Sequence, residues 1–256
     1  MLVATVGLSV DRATLRGLRG AARPVLLILT VSTLLLPALA WAASRLVTDP
    51  ALRDGVLAAG VAPAEVASVS LTALAGADAA VAAALLIGST VATVVLAGPV
   101  LALLAGAATT SPPGLIATLA LVIALPLGLG LAARARWPHA RGLHTTSPLI
   151  ATAALLVLVY LVAAHIPVSS AYLPVVPALL GFLAGSALLG ALLSRGLPPP
   201  QRLGVLLPVG MRDFAVAAGI ADIAFGPTAA TPLGLYGVLV LLFGALTARV
   251  SRGRCR

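Results

Sequence analysis

Eight stretches of predominantly apolar residues, each near the length of a membrane-crossing helix, follow one another along the chain, bounded by charge or by clusters of Gly, Pro and Ser. About 20 such residues carry a helix across roughly 30 Å of hydrocarbon, where only helices and closed barrels satisfy their own backbone. The stretches cover residues 25–44, 53–76, 79–106, 114–133, 148–166, 172–194, 203–224 and 228–248, and they predict eight full spans. Met1 to Val10 is apolar as well but covers half a bilayer at about 1.5 Å per residue, so it reads as part of a further helix. Composition agrees: 61% of the 256 residues are hydrophobic and 9% are charged, against about a quarter charged in soluble domains. A soluble domain and a disordered chain are thereby excluded. A single cysteine, Cys255, excludes a disulfide scaffold. The net charge of +9 is not the footprint of nucleic-acid binding, because aromatic residues make up only 4% and long apolar runs separate the arginines.

Positive charge accumulates in cytoplasmic loops, and the arginines divide accordingly. Arg12, Arg16, Arg19 and Arg23, then Arg134, Arg136 and Arg141, then Arg195 and Arg202, and finally Arg249, Arg252, Arg254 and Arg256 fall on one side; Arg45 and Arg53 fall on the other. This predicts a multi-pass protein of the inner or plasma membrane with a cytoplasmic C-terminus. Trp41 and Trp137, near span ends, suit headgroup anchors. Ala38-Leu39-Ala40 after an apolar stretch imitates a signal-peptide cleavage site, but the run continues to full spanning length.

Two spans contain helix breakers at their midpoints, Ala62-Pro63 and Pro208-Val209-Gly210. Backbone groups freed by such breaks survive in a membrane only inside protein or beside a water-filled cavity. Charge follows each break: Glu65 after the first, Arg212 and Asp213 after the second, with Asp222 further on. A central charge costs about 2.5 to 3.5 kcal/mol on insertion scales, so each needs a partner or a purpose. If half-helices begin at the breaks, Glu65 and Asp213 fall in first turns, where the dipole favours anions, and Pro63 suits a first helical position. Arg212 has the wrong sign for a helix N-terminus and requires Glu65, Asp213 or a bound anion as partner. Asp78 reads as the N-cap of the following span. The broken spans begin about 150 residues apart with an odd number of spans between equivalent points, which predicts an inverted repeat. The fold class is therefore an all-α polytopic membrane protein of the inverted-repeat secondary transporter type, with two broken helices that cross. The same arithmetic places a counterpart of the span near 114 about 36 residues before Met1, so the repeat expects one and a half further helices upstream.

These residues resemble the bile acid:sodium symporter family, over nearly the whole chain. Val6-Gly7-Leu8-Ser9 with the arginine-rich loop after it resembles the end of that family's second helix. Ala62-Pro63-Ala64-Glu65-Val66-Ala67-Ser68-Val69 stands where the fourth helix breaks at Pro-Gly-Gly-Thr-Ala-Ser-Asn. Ser89-Thr90 and Pro99 resemble the fifth helix; Val209-Gly210-Met211-Arg212-Asp213 resembles Val-Gly-Met-Gln-Asn of the ninth, and Phe225-Gly226-Pro227 through Pro232 continues the agreement. The resemblance implies a single transmembrane domain over residues 1–256, with ten helices in two inverted repeats of five. Core-type helices lie in 25–106 and 172–248, panel-type helices in 1–10 and 114–166. It also implies sodium sites, but those positions here read Ser68, Val69, Ala82, Leu86 and Pro208 for the first. The second reads Pro208, Arg212, Ser32 and the carbonyls of Val209 and Met211. A hard cation needs several oxygen ligands, so neither set binds sodium as the family does.

The expected function is a secondary transporter of small organic anions in which Arg212 places a permanent guanidinium where sodium sits in relatives. The expected partners are the lipid bilayer and a small organic anion; no nucleic acid, cofactor or metal is expected. Arginine stays protonated, so a coupling proton has to reside on Glu65, Asp213 or Asp222. Two alternatives stand beside this: a non-transporting or degenerate paralogue, and a sodium-coupled symporter with altered ligands. Catalysis finds no support. His139 and His144 lie in a loop without a carboxylate or cysteine nearby, His165 ends a span, and Gly88-Ser89-Thr90 lacks a nucleophile elbow.

Overall fold

The computed structural model describes residues 22–105 and 173–251, together with Gly114, Ala117, Leu121, Leu125 and Leu129. The expected spans at 1–10, 114–133 and 148–166, and the loop residues Trp137, His139 and His144, lie outside this description apart from those isolated positions. Eight helices are described in the two main segments: α1 Ala22–Ser44, α2 Pro50–Val61, α3 Val66–Leu74, α4 Ala79–Ala105, α5 Val175–Leu193, α6 Pro199–Gly210, α7 Phe214–Phe225 and α8 Pro227–Ser251. Four of them, α1, α4, α5 and α8, are long and apolar enough to cross a membrane. The other four are halves. α2 with α3, and α6 with α7, each join two short helices across a break, and 12 residues of helix cover only about 18 Å.

Local chemistry explains these boundaries. Asp49 caps α2, its Oδ1 accepting from the Ala51 and Leu52 amides at 2.9 and 3.3 Å, and Pro50 occupies the first turn, where no amide is needed. α2 stops at Val61 because Pro63 disfavours helix at the residue before it, and Ala62 is extended at φ −64°, ψ 154°. Asp78 caps α4 as its position implies, accepting from the Ala80 and Val81 amides at 3.0 and 3.2 Å. Two expectations are corrected here. Pro63 does not open a helix: it lies in the extended break, and α3 begins at Val66. Pro208 does not break its span either, since α6 runs through it to Gly210 and the extended stretch is Met211–Asp213. The position of that break is set by pairing across the molecule, described below, rather than by the proline.

One order of elements occurs twice: a long helix, a 12-residue helix, a break, a second short helix of 9 or 12 residues and a long helix, in α1–α4 and again in α5–α8. The helices share a core of Leu36, Val56, Phe182, Leu207, Phe214 and Tyr236, among others. The rings of Phe182 and Tyr236 pack at 5.8 Å, tilted by 46°. Small residues let backbones approach: a Cβ on Gly55 would strike the Ala229 carbonyl of α8, and one on Gly60 would strike Ala40 of α1. Leu26, Leu27, Leu34, Val91, Val95 and Leu246 are exposed, apolar outer faces that suit a hydrocarbon solvent. At the end of α1 the Arg45 guanidinium stacks 4.4 Å from the Trp41 ring, as an interfacial pair does.

Candidate functional site

The two breaks meet. Ala64 and Arg212 pair as an antiparallel bridge, with the Glu65 amide donating to the Met211 carbonyl and the Asp213 amide donating to the Pro63 carbonyl, both at 2.9 Å. Two helix C-termini, of α2 and α6, and two helix N-termini, of α3 and α7, therefore converge on one point.

Every polar backbone group freed there is a debt against folding in lipid, and side chains from neighbouring helices satisfy most of them. The Ala64 amide donates to Ser89 Oγ of α4 at 3.0 Å, and Ser89 in turn donates to Leu86 of its own helix. Thr93 Oγ1 donates to the Val61 carbonyl at 2.9 Å. Ser186 Oγ of α5 reaches the Gly210 carbonyl at 3.0 Å. The Ala62 carbonyl accepts from the guanidinium of Arg212.

Charge follows the helix ends. Glu65 caps α3, its Oε1 3.4 Å from the Ala67 amide, and Asp213 caps α7, its Oδ1 accepting from the Ala215 and Val216 amides at 3.0 and 2.9 Å. Both carboxylates thus stand at the positive ends of dipoles, one residue before the first turn rather than within it. Arg212 precedes a helix N-terminus in sequence, but its side chain extends to the C-terminus of α2, where the dipole is negative. That reach resolves its apparent wrong sign. Glu65, Arg212 and Asp213 are 2%, 5% and 6% exposed. Glu65 and Asp213 act on each other electrostatically, and Arg212 acts on both Asp213 and Tyr236.

Among the described residues, four buried side-chain atoms at this crossing have no hydrogen-bond partner: Glu65 Oε2, Ser68 Oγ, Arg212 Nε and Tyr236 Oη. Beside them a narrow cleft, with about 20 Å³ of water-sized space, is lined by Thr33, Pro37, Gly60, Ser89, Thr93 and Arg212, among others. The cleft itself offers the cation of Arg212 and the hydroxyls of Thr33, Ser89 and Thr93 in an apolar surround, while both carboxylates stand at the crossing and not in the cleft's lining.

Of the residues expected to form a site, Glu65, Ser68, Arg212 and Asp213 lie at the crossing, and Met211 contributes its carbonyl to the bridge. Val209 packs with Ile28, Val81, Leu85 and Val205. Ser32 is buried in α1 with its hydroxyl donating to Leu29, and its neighbour Thr33 takes the place beside the cleft. Asp222 is exposed near the far end of α7, about two and a half turns of helix from Asp213. Sequence reasoning missed Thr93, Ser186 and Tyr236 and gave Ser89 no role at the breaks. A hydroxyl or phenol in an otherwise apolar span was the signal available for all four.

Comparison with known proteins agrees with the architecture. Residues 1–171 match the sequence model of the Sodium Bile acid symporter family, a stretch that carries α1–α4 and the first break and ends before α5. No curated protein matches the chain significantly. Members of that family are transporters rather than enzymes, multi-pass proteins of the bilayer acting on small molecules. With two thirds of its length matched and its helices broken where they cross, the chain belongs to the sodium bile acid symporter family.

Proposed function

We propose that this chain is a secondary carrier of small organic anions that works without the sodium sites of its relatives. One observation carries the reading: a buried guanidinium, that of Arg212, is held against the Ala62 carbonyl at the C-terminus of α2. Where the family resemblance implies sodium, this chain has a cation that cannot dissociate. The fixed charge at the edge of a cleft supports attraction of an anion, and the paucity of side-chain oxygens at the family's ligand positions supports sodium independence. In this reading α1–α8 form the core domain, related internally by an inverted repeat. Residues 1–10 and 114–166 form the panel against which the core rocks, and the arginine-rich loops with the C-terminus face the cytoplasm.

The test is uptake of labelled short carboxylates and sulfonates into proteoliposomes, with sodium, choline and proton gradients compared and Arg212→Gln run in parallel. The expected result is sodium-independent uptake of at least one anion, lost in Arg212→Gln. Uptake that requires sodium refutes the fixed-cation reading. No uptake of any anion under any gradient refutes the carrier reading and favours a non-transporting relative.

A further inference from the structure

The charges at the crossing do not balance. Arg212 brings one positive charge, while Glu65 and Asp213 bring two negative charges when both are ionised, and all three side chains are buried. Among the described residues, the helices packed around Glu65 supply no compensation. α4 has no ionisable side chain, and α8 presents Tyr236. The other charged groups of the neighbouring described helices, Arg53, Asp54, Arg202, Asp222 and Arg249, lie toward helix ends. The expected spans 1–10, 114–133 and 148–166 contain no Asp, Glu, Lys, Arg or His in sequence except His165 at the end of the last.

Hydrogen bonding separates the two carboxylates. Asp213 Oδ1 accepts two backbone amides at 3.0 and 2.9 Å and is adjacent in the chain to Arg212. Glu65 Oε1 accepts one amide at 3.4 Å, and its Oε2 is buried without a hydrogen-bond donor among the described residues, the Val66 and Phe214 amides lying near the carboxyl without closing a bond to it. Ser68 Oγ, one turn along, is unpaired as well, and Tyr236 Oη has the Arg212 backbone near it but no closed bond among the described residues. A buried carboxylate oxygen without a donor is among the costliest groups a fold can hold.

From this charge count and these unpaired oxygens we propose that Glu65 is a proton-binding site, with Asp213 remaining the ionised counter-ion of Arg212. The proton forms an O–H bond on the Glu65 carboxyl, cancels the surplus negative charge and turns an oxygen lacking a donor into a donor itself. A bound water would supply a hydrogen bond but leave the charge. A sodium ion would find few side-chain oxygens, Glu65 Oε2, Ser68 Oγ and Tyr236 Oη, and the Met211 carbonyl already accepts from the Glu65 amide. Coupling of the proton to transport rests on the carrier reading; the site itself rests on the crossing alone.

Glu65 is the only glutamate in the chain, which makes the test site-specific. Infrared spectra of the full chain in lipid bilayers at neutral pH read the carbonyl stretch given only by a protonated carboxyl. The expected result is one such band, moved by carbon-13 labelling of glutamate, unmoved by labelling of aspartate and lost in Glu65→Gln. Arg212→Gln strengthens it, because removing the cation leaves Asp213 uncompensated too. Glutamine has the shape of the neutral acid, so Glu65→Gln folds as the wild type does. The proposal is overturned by the absence of the band, by a band that follows the aspartate label, by its loss when sodium replaces choline, or by failure of Glu65→Gln to fold. These spectra are read without any substrate, so they judge the proton site separately from the uptake assays.

Discussion

Replacing Ser89 with alanine isolates the contribution of one hydroxyl to the first break. The Ala64 amide, on a residue 1% exposed, donates to Ser89 Oγ at 3.0 Å. With the hydroxyl gone, that amide is left orphaned in the interior. The other half of the loss is small, since the Leu86 carbonyl keeps Thr90 Oγ1 as a donor at 2.8 Å. The cost is therefore that of one buried unsatisfied N–H, about 1 to 3 kcal/mol. Taking about 2 kcal/mol, a chain of this size is expected to lose about 4 to 8 °C in Tm. Thr90→Val is the matched control. It deletes a neighbouring hydroxyl whose only bond is to a carbonyl already served by Ser89, and it is expected to stay within about 0.5 kcal/mol of wild type. Thermal unfolding in detergent, followed by tryptophan fluorescence, reads both variants. Equal shifts in the two, or a Ser89→Ala change within about 0.5 kcal/mol of wild type, refutes the assignment of Ser89 as the partner of the break.

The same assay checks two further expectations. Gly55→Ala places a Cβ against the Ala229 carbonyl and 2.9 Å from Pro232 Cγ, forcing α2 from α8; it is expected to cost about 1 to 3 kcal/mol, while Gly181→Ala, whose Cβ meets nothing within 4 Å, is expected to be tolerated. Asp78→Ala removes the cap of α4 and is expected to cost about 1 kcal/mol, whereas Asp78→Asn, which keeps an accepting oxygen, is expected to lose a few tenths.

The long helices α1, α4, α5 and α8 were legible in the sequence to within about three residues, because a membrane span is a property of composition and length that needs no knowledge of neighbours. The existence of two breaks was legible for the same reason, since Pro63 and the charges after each break contradict a continuous apolar helix. Their positions were less so. Pro208-Val209-Gly210 reads as the second break, yet α6 absorbs all three, and the extended residues are those that pair with Pro63–Glu65 across the crossing. The favourable dipole at Glu65 and Asp213 followed from helix ends, though both stand as caps one residue before the first turns expected of them; the destination of the Arg212 side chain did not follow, because the end of α2 is 150 residues away from it. Ser89, Thr93 and Ser186 were illegible as partners of the breaks. Each is an ordinary hydroxyl in a helix, and its importance depends on a carbonyl or amide that lies 24 to 32 residues away in sequence.

The bridge between Ala64 and Arg212 also imposes a schedule on the ribosome. The two halves of the crossing are 148 residues apart, so at about 5 to 20 residues per second the first half is made roughly 7 to 30 s before its partner. During that interval the Glu65 amide and the Ala62 and Pro63 carbonyls have none of the partners that hold them in the finished fold. The growing chain has to keep this segment wet, or store it as a different helix, until the second half is delivered. Insertion of such a protein is thus a two-step act, in which the first break is laid down early and closed only by the last third of the chain.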